Sequence, residues 1–428
     1  MKEIQLTITA LSPLAIGYKK PGGSISQAQR YIPGTVIRGA IAAQILKEPG
    51  VDPNQPGGDF QALFVDNDAA IFSNAYPTSR DDNGHILPVH LLPSTAVSSK
   101  THSGFLDSKD KNHGVFDTLI DRFCAEEYGQ LYDPNCPKSG GRVEPYAGFY
   151  SINNLDNSNN GQENYQLQTV ETRLLTRVGI NRRRATAQEK VLYSIEVINE
   201  TKKKRNEGKK RNQTKDEKSL FLSTIRLEDK TLAQNLADYI SHKSKNWRLG
   251  GSASRGLGKV SIIPKVQDYH FDLEKRINDF NTCLKDRWQN KWNIFSSSAI
   301  SFPENQCFFT LNLQSDAILS EQWRRTMVVS PAMLCEMAGI DDSDLQLCAT
   351  YSSYDYRSGW NAAWGLMKDV ELVTRKGAVY LFKTPNLSAW ISALEKLEQQ
   401  GIGERTTEGF GQVQICSKFH HIFREHAV

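Results

Sequence analysis

The chain has 428 residues, of which 39% are hydrophobic and 23% charged, the composition of a soluble globular protein with roughly two to three domains. Its net charge of +4 is too small to establish a polyanionic partner, so the distribution of charge matters more than the total. No run approaches a membrane span, Met1–Ile4 leads straight into a strand pattern without a signal-peptide core, and the seven cysteines are odd in number and scattered, which points to reduced thiols in a cytoplasmic protein with no membrane contact.

Ile4, Leu6, Ile8 and Ala10 alternate with polar residues, the period of a half-buried strand that ends near Pro13. The following loop, 17–30, lacks acidic residues and carries Lys19, Lys20 and Arg30. Pro33-Gly34-Thr35 predicts the start of a helix with Thr35 as its N-cap and Val36, Ile37, Ala40, Ile41 and Ile45 on one side. Arg38 lies in the first turns, where a cation opposes the helix dipole, so it is a candidate for holding a phosphate. From 50 to 161 the chain is rich in Pro, Gly, Asn and Asp, with short strand candidates at 69–75 and 85–91, and it reads as a large insertion. That segment contains His85, His90, His102 and His113 with Cys124 and Cys136. The tract around Cys136 resembles half of a zinc knuckle, but Ser139 stands where the second thiolate belongs, so zinc would need Cys124 or His113 from elsewhere and no metal or cofactor is expected.

Between Arg173 and Lys218, 15 basic residues face six acidic ones. They include Arg173, Arg177, Arg182, Arg183 and Arg184. Residues 192–198 alternate as a strand, and 199–218 is too polar to pack and reads as a flexible basic loop. Arginine forks suit phosphates, and this concentration of charge points to nucleic acid as partner. Leu232, Leu236, Tyr239 and Ile240 form a helical stripe, followed by a glycine-rich loop and a strand that closes a first domain, 1–268. A connecting helix is expected within 269–303. The second domain, 304–428, then has strands at 307–313, 345–351 and 377–382, a short helix at 331–337, and a helix marked by Leu387, Trp390, Ile391, Leu394 and Leu397.

Both halves end alike. Arg255-Gly256-Leu257-Gly258-Lys259-Val260-Ser261-Ile262 and Glu408-Gly409-Phe410-Gly411-Gln412-Val413-Gln414-Ile415 share two glycines, a valine and an isoleucine in one register. Each is led by further glycines, Gly250 and Gly251 in the first and Gly401 and Gly403 in the second. The order helix, glycine loop, strand is the reverse of a dinucleotide fingerprint, and Val260 after Lys259 rules out a Walker A loop. What such a loop can do is reach positive φ and offer backbone N–H groups to an anion. The pattern strand, helix, strand, strand, helix, strand in each half predicts an α+β protein of two ferredoxin-like, RRM-like βαββαβ domains with a large insertion in the first. Gly409-Phe410-Gly411 and Val413 imitate an RNA-recognition motif, but Gln412 and Ile415 stand where it needs stacking aromatics, so base stacking on the sheet is not expected.

Paired units with a glycine loop before each last strand resemble the RAMP superfamily, the repeat-associated RNA-binding proteins of CRISPR systems. Ile32-Pro33-Gly34-Thr35-Val36-Ile37-Arg38-Gly39-Ala40 is similar to the family's first-helix entry, and Arg177-Val178-Gly179-Ile180-Asn181-Arg182 with Glu196-Val197-Ile198 to its arginine-bearing hairpin. Gly359-Trp360-Asn361 through Trp364-Gly365-Leu366, with Arg375-Lys376-Gly377-Ala378-Val379-Tyr380, resembles the C-terminal half of type III subunits that cap the 5′ end of the guide RNA, in particular the Csx-type subunit of subtype III-D. The resemblance implies a non-catalytic subunit of an antiviral ribonucleoprotein. It would grip the crRNA 5′ handle, dock the large polymerase-type subunit and the backbone RAMP subunits, and meet target RNA only indirectly. It further implies handle contacts at Arg38, Arg177, Arg182, Arg255 and Lys259, and a mainly structural second loop, because Glu404 and Glu408 depart from the basic pattern. Two alternatives stay open: a metal-independent endoribonuclease using His85, His90, His102 or His113, and a backbone subunit cutting target RNA from Asp107 or Asp110.

Overall fold

The computed structural model describes residues 1–17, 25–66, 68–107, 111–154, 163–181, 183–203, 216–244, 247–269, 272–295, 301–361 and 365–428. The protein is α+β and mostly strand, built on two main antiparallel sheets.

The first half begins with β1 (Lys2–Ala10), in which Ile4, Leu6 and Ile8 are fully buried and the residues between them are not. Period-two alternation sends one face to the core, and each buried side chain contributes about 1.5–3 kcal/mol. α1 (Gly34–Ile45) follows and lays Ile37 and Ile41 on that face. Its N-cap is Pro33 rather than Thr35, and the cap acceptor comes from afar: Asn74 Oδ1 takes the Gly34 N–H at 2.9 Å. After α2 (Asp59–Phe64) come the short strands β2 (Ile71–Phe72) and β3 (Tyr76–Thr78). A long hairpin, β4 (Thr172–Asn181) and β5 (Thr186–Ile198), precedes β6 (Leu220–Leu227), α4 (Lys230–His242), β7 (Trp247–Arg248) and β8 (Lys259–Asp268). Asp229 caps α4 by accepting from the N–H groups of Thr231 and Leu232. The sheet order is β7-β8-β1-β6, with β2 and β3 both pairing with β6. Ala233, Leu236, Ala237 and Ile240 of α4 join α1 in covering the β1 face.

The second half opens with α5 (Leu273–Asp286), which runs on into a π-helical stretch to Trp292. β9 (Cys307–Leu313), the tight hairpin β10 (Ser320–Glu321) and β11 (Arg324–Arg325), α6 (Pro331–Ala338), β12 (Gln346–Tyr351), β13 (Val379–Thr384), α7 (Leu387–Gln400) and β14 (Val413–Ile415) complete it, and the sheet order is β12-β13-β9-β14. Phe308 to Leu313 of β9 are all buried, the near-continuous burial of a strand covered on both faces.

Two segments lie elsewhere than the sequence suggests. The stretch 269–303, expected to connect the halves, buries Leu273, Ile277, Phe280, Leu284, Trp288 and Trp292 in the second core. The stretch 50–161, expected to project from the first half, supplies β2 and β3 to the first sheet and α3 (Leu119–Glu127) to the second core. α3 is tied there by its buried Asp121, which accepts from Arg287 Nη2 at 2.5 Å and from Trp292 Nε1 at 2.8 Å. Of 199–218, Thr201–Lys203 pairs with Asp216–Lys218, and the residues between lie outside the described ones.

Candidate nucleic-acid interface

Among the described residues the hairpin β4–β5 is the longest two-stranded ribbon, and it carries most of the arginines singled out from sequence. Its turn is shaped by Asn181, whose side-chain oxygen accepts from the N–H groups of Arg183 at 3.1 Å and Arg184 at 3.2 Å. Both arginines stand exposed at the tip. At the base, Leu175, Ile195 and Val197 pack with Ala15 and Leu257, which fixes the hairpin against the first glycine loop. From Arg173 to Asn181 the strand covers about 26 Å. Its outward side leaves Leu174, Val178, Ile180 and Leu192 exposed.

Where hairpin and loop meet, distant positions converge. Arg177 and Tyr193 are cross-strand neighbours, the Arg255 guanidinium donates to the Tyr193 hydroxyl and lies 5.6 Å over its ring, and Arg177 Nη2 reaches the Arg255 carbonyl at 3.5 Å. Lys259 is exposed at the start of β8, opposite Arg248 of β7. Tyr193 and Arg248 were not anticipated. Tyr193 was not legible from the turn, because the register of Asn181 opposite Thr186 would set Arg177 against residue 190, and only the register shift between Val178 and Ile180 brings Tyr193 there.

The glycines have a different role from the one expected. The N–H of Gly251 donates to Ala15 O at 2.8 Å, that of Gly258 to Pro13 O at 2.9 Å and that of Gly256 to Ala253 O at 3.3 Å. A donor already bonded to a carbonyl cannot cradle a phosphate, so these three N–H groups are not available to a polyanion, while the side chains of Arg255 and Lys259 are exposed. Gly250, at φ +88°, is required by close approach instead: a Cβ there would lie 2.5 Å from the Ala15 carbonyl oxygen.

Other candidates are placed apart. Arg173 forms an ion pair with Glu200 at 3.1 Å. Arg38 is half-buried against α2, donating to the Phe64 carbonyl with its guanidinium 5.7 Å over the Phe64 ring. Burial pushes its pKa down, and its nearest charges are Glu408 and Arg405 of the second glycine loop. Lys19, Lys20, Arg182 and Asp110 lie outside the described residues.

The second glycine loop repeats the backbone of the first. Ser252 and Arg405 have φ of 57° and 58°, Gly256 and Gly409 have 86° and 91°, and each pair brackets a single 3₁₀ turn. Its charges, however, are compensated: Glu404 pairs with Arg325, and Glu408 with Arg405 at 2.6 Å and Lys368 at 3.3 Å. The Arg325 hydrogen bond holds the Glu404 carboxyl below its usual range, and for Glu408 the pull of Arg405 and Lys368 outweighs burial, which acts the other way.

The histidines do not assemble. His85 pairs with Asp81 at 3.2 Å, His90 is tilted on Tyr150, and only His102 and His113 touch, stacked at 4.3 Å. Asp107 accepts the N–H groups of Lys111 and Asn112. Cys136 Sγ lies 3.2 Å from His113 Nδ1, and although burial raises its pKa, hydrogen bonds from Ser139, Lys138 and His113 bring it down to about 6. Cys124 sits in the second core instead, and among the described residues no group of three or more His, Cys, Asp or Glu side chains could hold a metal ion. No helix among the described residues is long and apolar enough to cross a membrane.

A family model described as the RAMP superfamily matches residues 7–261, which run from β1 through the first glycine loop into β8. No curated protein matches the chain. Among solved structures, a chain from the type III-B Cmr-beta complex bound to cognate target RNA is 13% identical, with 96% of each chain covered and a TM-score of 0.39. A chain of the same complex with cognate target RNA and AMPPnP is 12% identical, covering 91% of this chain and 88% of that one at a TM-score of 0.37. Oligomeric Cmr4 from Pyrococcus furiosus is 13% identical, with 62% of this chain and 99% of that one covered and a TM-score of 0.25.

Proposed function

From the premise that the chain belongs to the RAMP superfamily, we propose that it is a non-catalytic RNA-binding subunit of a type III CRISPR effector complex, capping the crRNA 5′ handle. In that role it docks the large polymerase-type subunit and the first backbone subunit, as the likeness to the subtype III-D Csx-type subunit implies. The observation that carries the reading is the convergence of Arg177, Arg255 and Tyr193 where the basic hairpin meets the first glycine loop. Guanidinium groups on a ribbon of this length can follow a phosphate backbone without reading bases, and a tyrosine ring among them offers one surface on which a base can stack. We read both halves as ferredoxin-like units, supported by the same strand order, last-first-third-second, in each sheet. The first unit spans 1–268, and the second begins at α5, whose apolar face belongs to its core.

The test is to incubate the purified protein with labelled repeat RNA, without metal and then with Mg²⁺, and to follow binding and cleavage together. Binding with intact RNA and a steep salt dependence is expected. Site-specific cleavage would replace the capping assignment with an endoribonuclease.

A further inference from the structure

The basic face of the first half leaves the most exposed aromatic side chain among the described residues of the second half without a role. Between β10 and β11 the chain turns in two residues, Gln322 and Trp323, with φ of 48° and 65°. Two successive positive φ values define the turn that matches the twist of a two-stranded ribbon, and these positions ordinarily select Asn and Gly. Here they hold a glutamine and a tryptophan. The indole gains nothing from the fold in exchange, since Trp323 is 100% exposed.

The ribbon that presents it is braced on both sides. Arg325 bonds Ser320 Oγ at 2.6 Å and Glu371 at 2.9 Å and also pairs with Glu404, and Ser330 donates to Glu321. Arg324, next to the indole, is exposed and has no hydrogen bond or ion pair among the described residues. The turn's other residues, Glu321, Gln322 and Arg324, are polar, so within the turn the ring has a cation and no second apolar side chain beside it. A braced ribbon that presents an aromatic face beside a guanidinium with no ion pair among the described residues suits an unpaired nucleobase and its phosphate.

We infer that Trp323 is a base-stacking contact for single-stranded RNA, with Arg324 on the adjoining phosphate, a second point of attachment on the half that lacks the basic hairpin. The inference rests on the reading of the chain as an RNA-binding protein. It assigns the second half a sequence-tolerant contact, since every base has a π-face.

The full-length protein is titrated by fluorescence anisotropy with a labelled 12-nucleotide oligouridylate and with an abasic ribose-phosphate 12-mer. Trp323→Ala is expected to weaken oligouridylate binding roughly five- to tenfold, to leave the abasic probe unchanged, and to be largely rescued by Trp323→Phe. Unchanged oligouridylate binding by Trp323→Ala overturns the inference and assigns the ring to a protein partner, and an equal loss on both probes overturns stacking. An Arg177→Ala/Arg255→Ala protein separates this from the broader reading. If that pair has no effect while Trp323→Ala does, the basic face fails and the stacking contact stands. If the wild-type protein binds neither probe, both fall.

Discussion

The two glycine loops have one backbone and two surroundings. In the first, Gly256 is exposed and a Cβ built on it meets nothing within 4 Å; in the second, Gly409 is buried and a Cβ would lie 2.7 Å from the Phe72 carbonyl oxygen of the first half. The first loop faces outward with Arg255 and Lys259, while the second is closed over α1 and β2, with each of its acids held by a cation. A repeated motif thus conserves a conformation and not a role: whatever packs against the loop decides whether its side chains are available to a ligand.

The largest expected effect separates the cores of the two halves. Arg276 bonds Glu398 through both terminal nitrogens at 2.7 and 2.8 Å, and Glu398 also accepts the Ile415 N–H, so the helix before the second loop is clamped to the strand after it by a buried ion pair. Glu398→Ala removes the arginine's buried carboxylate and leaves it the half-exposed Asp272, and is expected to cost about 3 kcal/mol in chemical denaturation, whereas an Arg276→Met/Glu398→Met pair should recover most of it. Next, Gly409→Ala combines left-handed strain with a backbone clash and should cost about 3 kcal/mol, while Gly256→Ala at the same register should cost about 1 kcal/mol. Equal losses would erase the distinction between an open and a closed loop.

The contrast in charge predicts a smaller, functional difference. Arg177→Ala/Arg255→Ala should weaken binding to repeat RNA about tenfold and flatten the slope of log K against log salt by roughly 1.4, for two lost phosphate contacts on a single strand. Arg405→Ala/Lys368→Ala should leave both within error, because those cations already serve Glu408. The smallest effect is in acid. The folded state lowers the Glu408 pKa from about 4.5, so its contribution to stability is full above that value and is lost as pH falls through the lower folded value. Glu408→Gln should therefore show a shallower loss of thermal stability below about pH 4.5, and no substitution in the first octet, which has no acid, should reproduce this.

Much of this was legible from residue order. The alternation of β1 predicts a one-sided strand and the spacing of Leu387, Trp390, Leu394 and Leu397 the helix that precedes the second loop, whereas β9 reads only as a strand and its burial on both faces, Thr310 and Asn312 included, was not legible. Arg177, Arg183, Arg184, Arg255 and Lys259 follow from charge and the glycine repeat. Arg38 shows the limit: its position in the helix was readable, but its burial depends on α2 folding back across it. Two of the expected free N–H groups, those of Gly251 and Gly258, are likewise taken once Ala15 and Pro13 bring their carbonyls to the loop.

By itself the sequence determined the elements and the conformation of both loops, because hydrophobic period and the need for positive φ act over a few residues. Only the tertiary structure decided that α3 and α5 belong to the second core, that Tyr193 joins Arg177 and Arg255, and that one glycine loop is open and its copy closed. Those outcomes depend on which surfaces meet between segments far apart in the chain, and no local preference carries that information.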